Sequence, residues 1–272
     1  MGTIETGTDH LLADLDSGVL TLTMNRPEAR NAMSGEMNAA LGERLAWAEV
    51  EPAVKCVVLT GAGQGFCAGG DVKSMAARPR GAREFTLDEA IHRQRINQRS
   101  TAGRLFKMPK PTIAALPGAA AGAGLALALA CDLRVMAKTA IMTTAFAKVG
   151  FSGDYGGTYF LTQLVGSAKA RELYFLSDRV SADEALRLGL TNWVCEPEEL
   201  AAKTREVAAR LANGPTIALR YMKENLNRAM AGGVDECLDL EATHHVHLAQ
   251  TDDHKEAAKA FVEKRPPVFT GR

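Results

Sequence analysis

Net charge is what this 272-residue sequence has least of: 32 Lys and Arg are balanced by 32 Asp and Glu. A balanced chain carries no overall field toward nucleic acid or an anionic membrane surface. No apolar run approaches the ~20 residues that span a bilayer, and the first residues lack the basic-then-apolar pattern of a secretory leader. The five cysteines stand at positions 56, 67, 131, 195 and 237 with no CxxC pair, several of them inside apolar runs. That spacing argues against a disulfide framework and reads as reduced, buried thiols. Gly118, Gly122 and Gly124 do not open a GxGxxG unit, and no phosphate loop, internal repeat or low-complexity tract is present. The expectation is a soluble, cytoplasmic protein without nucleic-acid or membrane partners. Its 46% hydrophobic content is enough for a proper core.

Val19–Met24 alternates, with Leu20, Leu22 and Met24 on one face, and predicts a strand. Ser34 is a candidate N-cap for a helix carrying Met37, Leu41, Leu45 and Ala48. A strand is predicted over 54–60, a loop with Pro79 and Gly81 over 76–82, and one helix over 87–105. Pro109 and Pro111 bracket the start of a strand at 112–116. A helix at 123–130 and short strands at 133–137 and 140–143 follow. This alternation predicts a parallel, helix-covered α/β core. From Tyr155 onward the pattern is helical. Ser181-Ala182-Asp183-Glu184 reads as a capping box. Helices are predicted at 200–212, 216–230, 234–250 and 253–263, separated by Gly214-Pro215 and Gly232-Gly233. Residues 1–200 are thus expected to form the α/β core and 201–272 a helical oligomerisation region, since apolar helix faces are left over.

Two glycine-rich segments carry the chemistry. One is Phe66-Cys67-Ala68-Gly69-Gly70-Asp71-Val72-Lys73; the other is Pro117-Gly118-Ala119-Ala120-Ala121-Gly122-Ala123-Gly124. Each follows an apolar strand and precedes a helix. Small residues leave backbone N–H groups uncovered, so each turn can offer one donor to an oxygen that gains negative charge. Together with Met24-Asn25-Arg26-Pro27-Glu28-Ala29-Arg30-Asn31-Ala32 and Phe261-Val262-Glu263-Lys264-Arg265, they stand in the order of a known family. Over nearly its whole length the chain resembles the enoyl-CoA hydratase/isomerase (crotonase) family.

That resemblance implies a crotonase-like spiral of βββα-type repeats with a C-terminal helical trimerisation region. It implies acyl-CoA thioester substrates, an enolate-type intermediate, no metal or redox cofactor, and a homotrimer or dimer of trimers. It assigns the oxyanion donors to the backbone N–H groups of Gly70 and Ala123. It lines the CoA nucleotide with Arg26, Ala29, Ala68, Asp71 and Val72, and brings Lys264 toward the CoA phosphates.

The chain departs from the family where hydratases carry two glutamates: those positions hold Ala126 and Phe146, and neither can move a proton. One acid remains nearby, Asp154, among glycines and Phe146, Phe151, Tyr155, Tyr159 and Phe160. Desolvation there raises a carboxyl pKa and suits a proton shuttle. The segment is similar to the turn in phenylacetate-pathway ring isomerases and dienoyl-CoA isomerases, which place an Asp here. By that resemblance Asp154 is the single base of an isomerase. The alternative for Asp154 is the N-cap of a helix starting near Tyr155. A hydratase working through Asp154 or a nearby acid (Glu84, Asp88 or Glu89) and a CoA-thioester binder without turnover are the rival functions. His244 and His247 share a helix face at i, i+3. No further ligand completes a metal site, so a solvated face is expected.

Overall fold

The computed structural model describes residues 2–71, 77 and 85–272. Val72, Glu84 and all but Ala77 of the loop expected over 76–82 lie outside the described residues.

Among the described residues the strands form two sheets. The larger runs β1 (Gly2–Ile4), β2 (Leu11–Asp16), β3 (Val19–Met24), β4 (Cys56–Gly61), β6 (Thr112–Leu116), β8 (Leu133–Ala137) and β11 (Trp193–Cys195), in that spatial order. β1 to β3 are antiparallel, and from β3 onward every pairing is parallel. The smaller sheet is β10 (Val180–Ser181), β9 (Ile141–Thr143), β7 (Ala119–Ala121) and β5 (Gly65–Cys67). The chain therefore repeats one step: a buried strand in the large sheet, a short strand in the small sheet, then a helix. The almost continuously buried β4 and β6 fit this scheme, since parallel strands are covered on both faces.

Helix α1 (Gly35–Val50) starts at Ser34, whose Oγ accepts from Met37 N at 3.1 Å. The single helix expected over 87–105 is two: α2 (Leu87–Ser100) and α3 (Ala102–Lys107). They break at Thr101, which takes φ −113° and ψ −89°. There Thr101 Oγ1 donates back to Asn97 O at 2.7 Å, a local bond that competes with the helix ladder. Helix α4 (Ala123–Ala130) is buried along its whole length. α5 (Gly157–Leu176) is interrupted at Gly166. α6 (Ala182–Arg187) uses only half of the expected capping box. Ser181 Oγ accepts from Glu184 N, but the Glu184 carboxylate turns to Arg187.

Four helices close the chain: α7 (Leu200–Ala212), α8 (Thr216–Ala229), α9 (Val234–Leu248) and α10 (Asp252–Glu263). The boundary expected at 200 falls at the start of α7. Its Leu200, Val207, Ala208 and Ala212 belong to the same hydrophobic core as the sheet. The helices beyond Gly214-Pro215 stand more apart. They are tied to the core by Lys223 of α8, which is buried and donates to Asp132 Oδ2 and Leu105 O, each at 2.9 Å. Asp132, two residues past the end of α4, also accepts from the N–H and hydroxyl of Thr112. No helix among the described residues is long and apolar enough to cross a membrane.

Candidate active site

The first turn is built by loop 26–33 wrapping loop 61–71. Asn31, fully buried at φ +56°, donates to Ala62 O and Gly65 O and accepts from Arg26 N. Asn tolerates the left-handed region better than most residues. Ala68 N donates to Arg30 O at 3.0 Å and Met33 N to Gly69 O at 2.8 Å. The Arg26 guanidinium donates to Ala32 O and reaches Asp71 Oδ2 with both terminal nitrogens. Arg26, Ala68 and Asp71 are thus brought together, with Ala29 in the one-turn helix Pro27–Ala29 beside them. Arg26 is committed to the loop rather than standing as an open cation.

Gly69 joins this turn to the next. Its φ is +87°, and a Cβ placed on it would lie 2.8 Å from Ala121 O and 3.2 Å from Ala123 N. Only glycine fits where two backbones approach so closely. Ala123 opens α4, whose first N–H groups have no intrahelical partner and carry partial positive charge. Among the described residues no hydrogen bond takes up the N–H of Gly70 or of Ala123. Two donors from two neighbouring turns are therefore available.

Asp154 lies just before α5. The N-cap position belongs to Gly156, with no side-chain cap, so the capping role is not what Asp154 does. Its main-chain O accepts from Gly157 N at 3.0 Å, while its side-chain Oδ1 is buried with no partner. Burial pushes its carboxyl up to about 6. Tyr155 N is held by Gln98 Oε1 of α2 at 2.7 Å, which fixes the turn. A Cβ on Gly157 would lie 3.2 Å from the Ala126 Cβ, so the first turn of α5 rests on α4 near its N-terminus. Asp154 is thereby held beside the helix that presents Ala123.

Ala126 and Phe146 line one narrow crevice with Gly122, Gly157 and Tyr174. Phe146 stacks on Tyr174, with ring centroids 5.9 Å apart and planes 6° from parallel. Tyr174 is absent from the sequence reading. It lies 20 residues past Asp154 in a helix where aromatics usually mean packing.

Other expected positions lie elsewhere. Lys264 is an exposed residue at the C-terminus of α10. Glu89 caps α2 by accepting from Thr86 N and Oγ1, and Asp88 is exposed beside it. The His244–His247 face is not wholly solvated: His244 is buried and stacks on Tyr221 at 4.1 Å, with Nδ1 2.6 Å from Asn225 Oδ1. No group of three or more metal-ligating side chains occurs among the described residues.

The family model for enoyl-CoA hydratase/isomerase matches residues 14–272. The chain belongs to the enoyl-CoA hydratase/isomerase family. It is 38% identical to the 1,2-epoxyphenylacetyl-CoA isomerase of Escherichia coli (strain K12) over 264 residues, covering 97% of this chain and 99% of that one. It is 33% identical to the short-chain-enoyl-CoA hydratase of Clostridium acetobutylicum, covering 94% of this chain and 96% of that one. Among solved structures, an enoyl-CoA hydratase from Polaromonas sp. JS666 superposes with a TM-score of 0.89 at 34% identity. That match covers 96% of this chain and 99% of the other. The fold is the crotonase fold of this enzyme family, whose relatives include both isomerases and hydratases.

Proposed function

We propose that this protein is an acyl-CoA isomerase that shifts a double bond with Asp154 as its only base. One observation carries the reading: among the described residues Asp154 is the carboxylate with a buried, unpartnered oxygen, while Ala126 and Phe146 occupy the positions of the hydratase glutamates. A water held and activated by two carboxylates has nothing to hold it here.

The thioester carbonyl oxygen sits between the N–H groups of Gly70 and Ala123. Asp154 removes a proton from the α or γ carbon, and the electron pair moves onto that oxygen as an enolate. Each such donor is worth roughly 3–4 kcal/mol in comparable sites. The protonated Asp154 returns the proton at the other carbon, the double bond re-forms one place along, and no atom is gained or lost. The reaction so written calls for no metal or redox group. Asp71, Ala68, Val72 and Ala29 line the CoA nucleotide, Arg26 by holding that loop, and Lys264 approaches CoA phosphates from its own or a neighbouring subunit. The assembly is a trimer or dimer of trimers. Exposed Met222, Leu226, Leu238, Val246, Phe261 and Val262 on the last three helices support it, since apolar side chains in such number favour burial.

The test is incubation with a 3-enoyl-CoA and a 2-enoyl-CoA in deuterated water, for wild type and Asp154→Asn. Migration with deuterium uptake in wild type, lost in Asp154→Asn with thioester binding kept, is the expected result. Hydration of the 2-enoyl thioester without migration would replace isomerase by hydratase. Absence of exchange in both thioesters would leave a binder without turnover.

A further inference from the structure

The Asp154 carboxylate is aimed without being held. Its Oδ1 is buried with no partner, and no hydrogen bond to the side chain is formed among the described residues. A carboxylate with no bond of its own takes its direction from the main chain that carries it. That main chain is unusual: Gly153, Tyr155 and Gly156 all have positive φ, at +117°, +49° and +76°. Glycine takes such angles freely. For a bulky residue such as tyrosine they are rare and persist only where the surroundings impose them. Tyr155 is constrained from two sides. Its ring is buried, and its phenol meets the Asn38 side chain of α1. Its N–H donates to Gln98 Oε1 at 2.7 Å, across 57 positions of chain. Gln98 stands in the last turn of α2, and that turn is seated on α1: a Cβ on Gly42 would lie 3.1 Å from Ser100 Oγ.

We propose that Gln98 is a positioning residue: by holding Tyr155 N it aims the Asp154 carboxylate so that one oxygen reaches both carbons between which the proton moves. This rests on the reading of Asp154 as the base of an isomerase. Migration asks more of a base than exchange does. In exchange one carbon is enough: its proton passes to the carboxylate, the electron pair moves onto the thioester oxygen, and a solvent-derived proton returns to the same carbon. In migration the proton must return at a second carbon two bonds away, so the carboxylate has to stand between the two. A small misplacement of a reacting group is costly in rate. Without the Gln98 acceptor, Tyr155 N–H loses its partner and the turn is free to leave its left-handed conformation, and Asp154 turns with it. Gln98 acts through Tyr155 and Asp154, not on the substrate itself.

The experiment compares the whole protein as wild type, Gln98→Met and Gln98→Glu with a 3-enoyl-CoA in deuterated water at pH 8, where Asp154 is ionised. Migration and deuterium uptake are followed together, and binding is read separately by calorimetric titration with hexanoyl-CoA, which has no double bond to move. Gln98→Met keeps the length of the side chain and removes the acceptor. It should slow migration about ten- to hundredfold and lower the ratio of migration to exchange, while hexanoyl-CoA affinity holds. Gln98→Glu keeps an oxygen for Tyr155 N and should restore most of both. Unchanged migration and ratio in Gln98→Met would overturn the assignment, and so would a Gln98→Glu variant no better than Gln98→Met. Loss of hexanoyl-CoA binding along with migration in Gln98→Met would also overturn it, since the bond would then hold the site together rather than aim the base. Wild-type protein without migration, or migration that survives in Asp154→Asn, would bring down the reading on which this assignment rests. Wild-type migration that Asp154→Asn abolishes and Gln98→Met leaves intact would sink the role of Gln98 alone.

Discussion

Both terminal nitrogens of Arg26 lie 3.2 Å from the same oxygen of Asp71, so one ion pair clamps the loop at 26–33 to the far end of the Gly69-Gly70 turn. The pair is largely shielded from water, with side-chain exposures of 16% and 17%. Removing one member of a shielded pair leaves the other charge poorly compensated. Arg26→Met should lower unfolding stability by about 2 kcal/mol, read from the urea midpoint. A double-mutant cycle with Asp71→Asn should show coupling, and strictly additive losses would mean that the clamp is not real.

Gly69→Ala should be among the most damaging single-methyl additions in the chain. It combines φ +87° with a contact of 2.8 Å to Ala121 O, and backbone cannot move aside cheaply. We expect a loss of about 2–3 kcal/mol and turnover reduced at least tenfold. Gly65→Ala is the control: the nearest atom to its Cβ is 3.9 Å away, and the loss should stay near or below about 1 kcal/mol. Similar melting temperatures for the two variants would contradict the close approach of the two turns.

With Asp154 as the proposed base, stability and activity should respond to pH in opposite directions. Its carboxyl is raised to about 6 by burial, above its value in the unfolded chain. The folded state therefore holds the proton more tightly, and stability falls as pH rises from about 4 to about 6, then levels. A base must be ionised, so kcat/KM should rise over the same range, with its acid limb near 6. Asp154→Asn should cut double-bond migration by about 10²- to 10⁴-fold. After allowing for partial exposure it should raise stability above pH 7 by about 1 kcal/mol. That gain should disappear at pH 4. An equal melting temperature for both proteins at pH 8 would show that the carboxylate is not strained by burial.

Lys223 offers a test far from the chemistry. Lys223→Met removes the ammonium that joins Leu105 O, Lys110 O and Asp132 Oδ2, and strands a partly buried carboxylate. The expected cost is about 3 kcal/mol by denaturant unfolding. Asp132→Asn in the Lys223→Met background should restore part of it. No rescue would mean that the contact is packing rather than charge.

What the sequence made legible was local. The β3 alternation, Ser34 as a cap and the apolar 112–116 strand depend on neighbours within a turn or a strand, and each appears as expected. The break at Thr101 was invisible, because threonine is not a breaker and only its bond to Asn97 O shows why the helix stops. Most of the second sheet also escaped notice. Its strands are two or three residues long, and short small-residue runs carry no periodicity. At the site, the two glycine turns and Asp154 could be picked out from residue type. That Arg26 is tied to Asp71, or that Tyr174 faces Ala126, depends on contacts across 45 and 48 positions of chain. No pattern of spacing encodes those contacts.

Cys67 sits three positions ahead of Gly70, fully buried, with its thiol pushed up to about 12 by desolvation. A double bond conjugated to a thioester is an electrophile that thiolates attack. Desolvation keeps Cys67 in its protonated thiol form at neutral pH. The packing around the proposed oxyanion turn thus also keeps this thiol protonated and buried away from the class of compound proposed as the substrate.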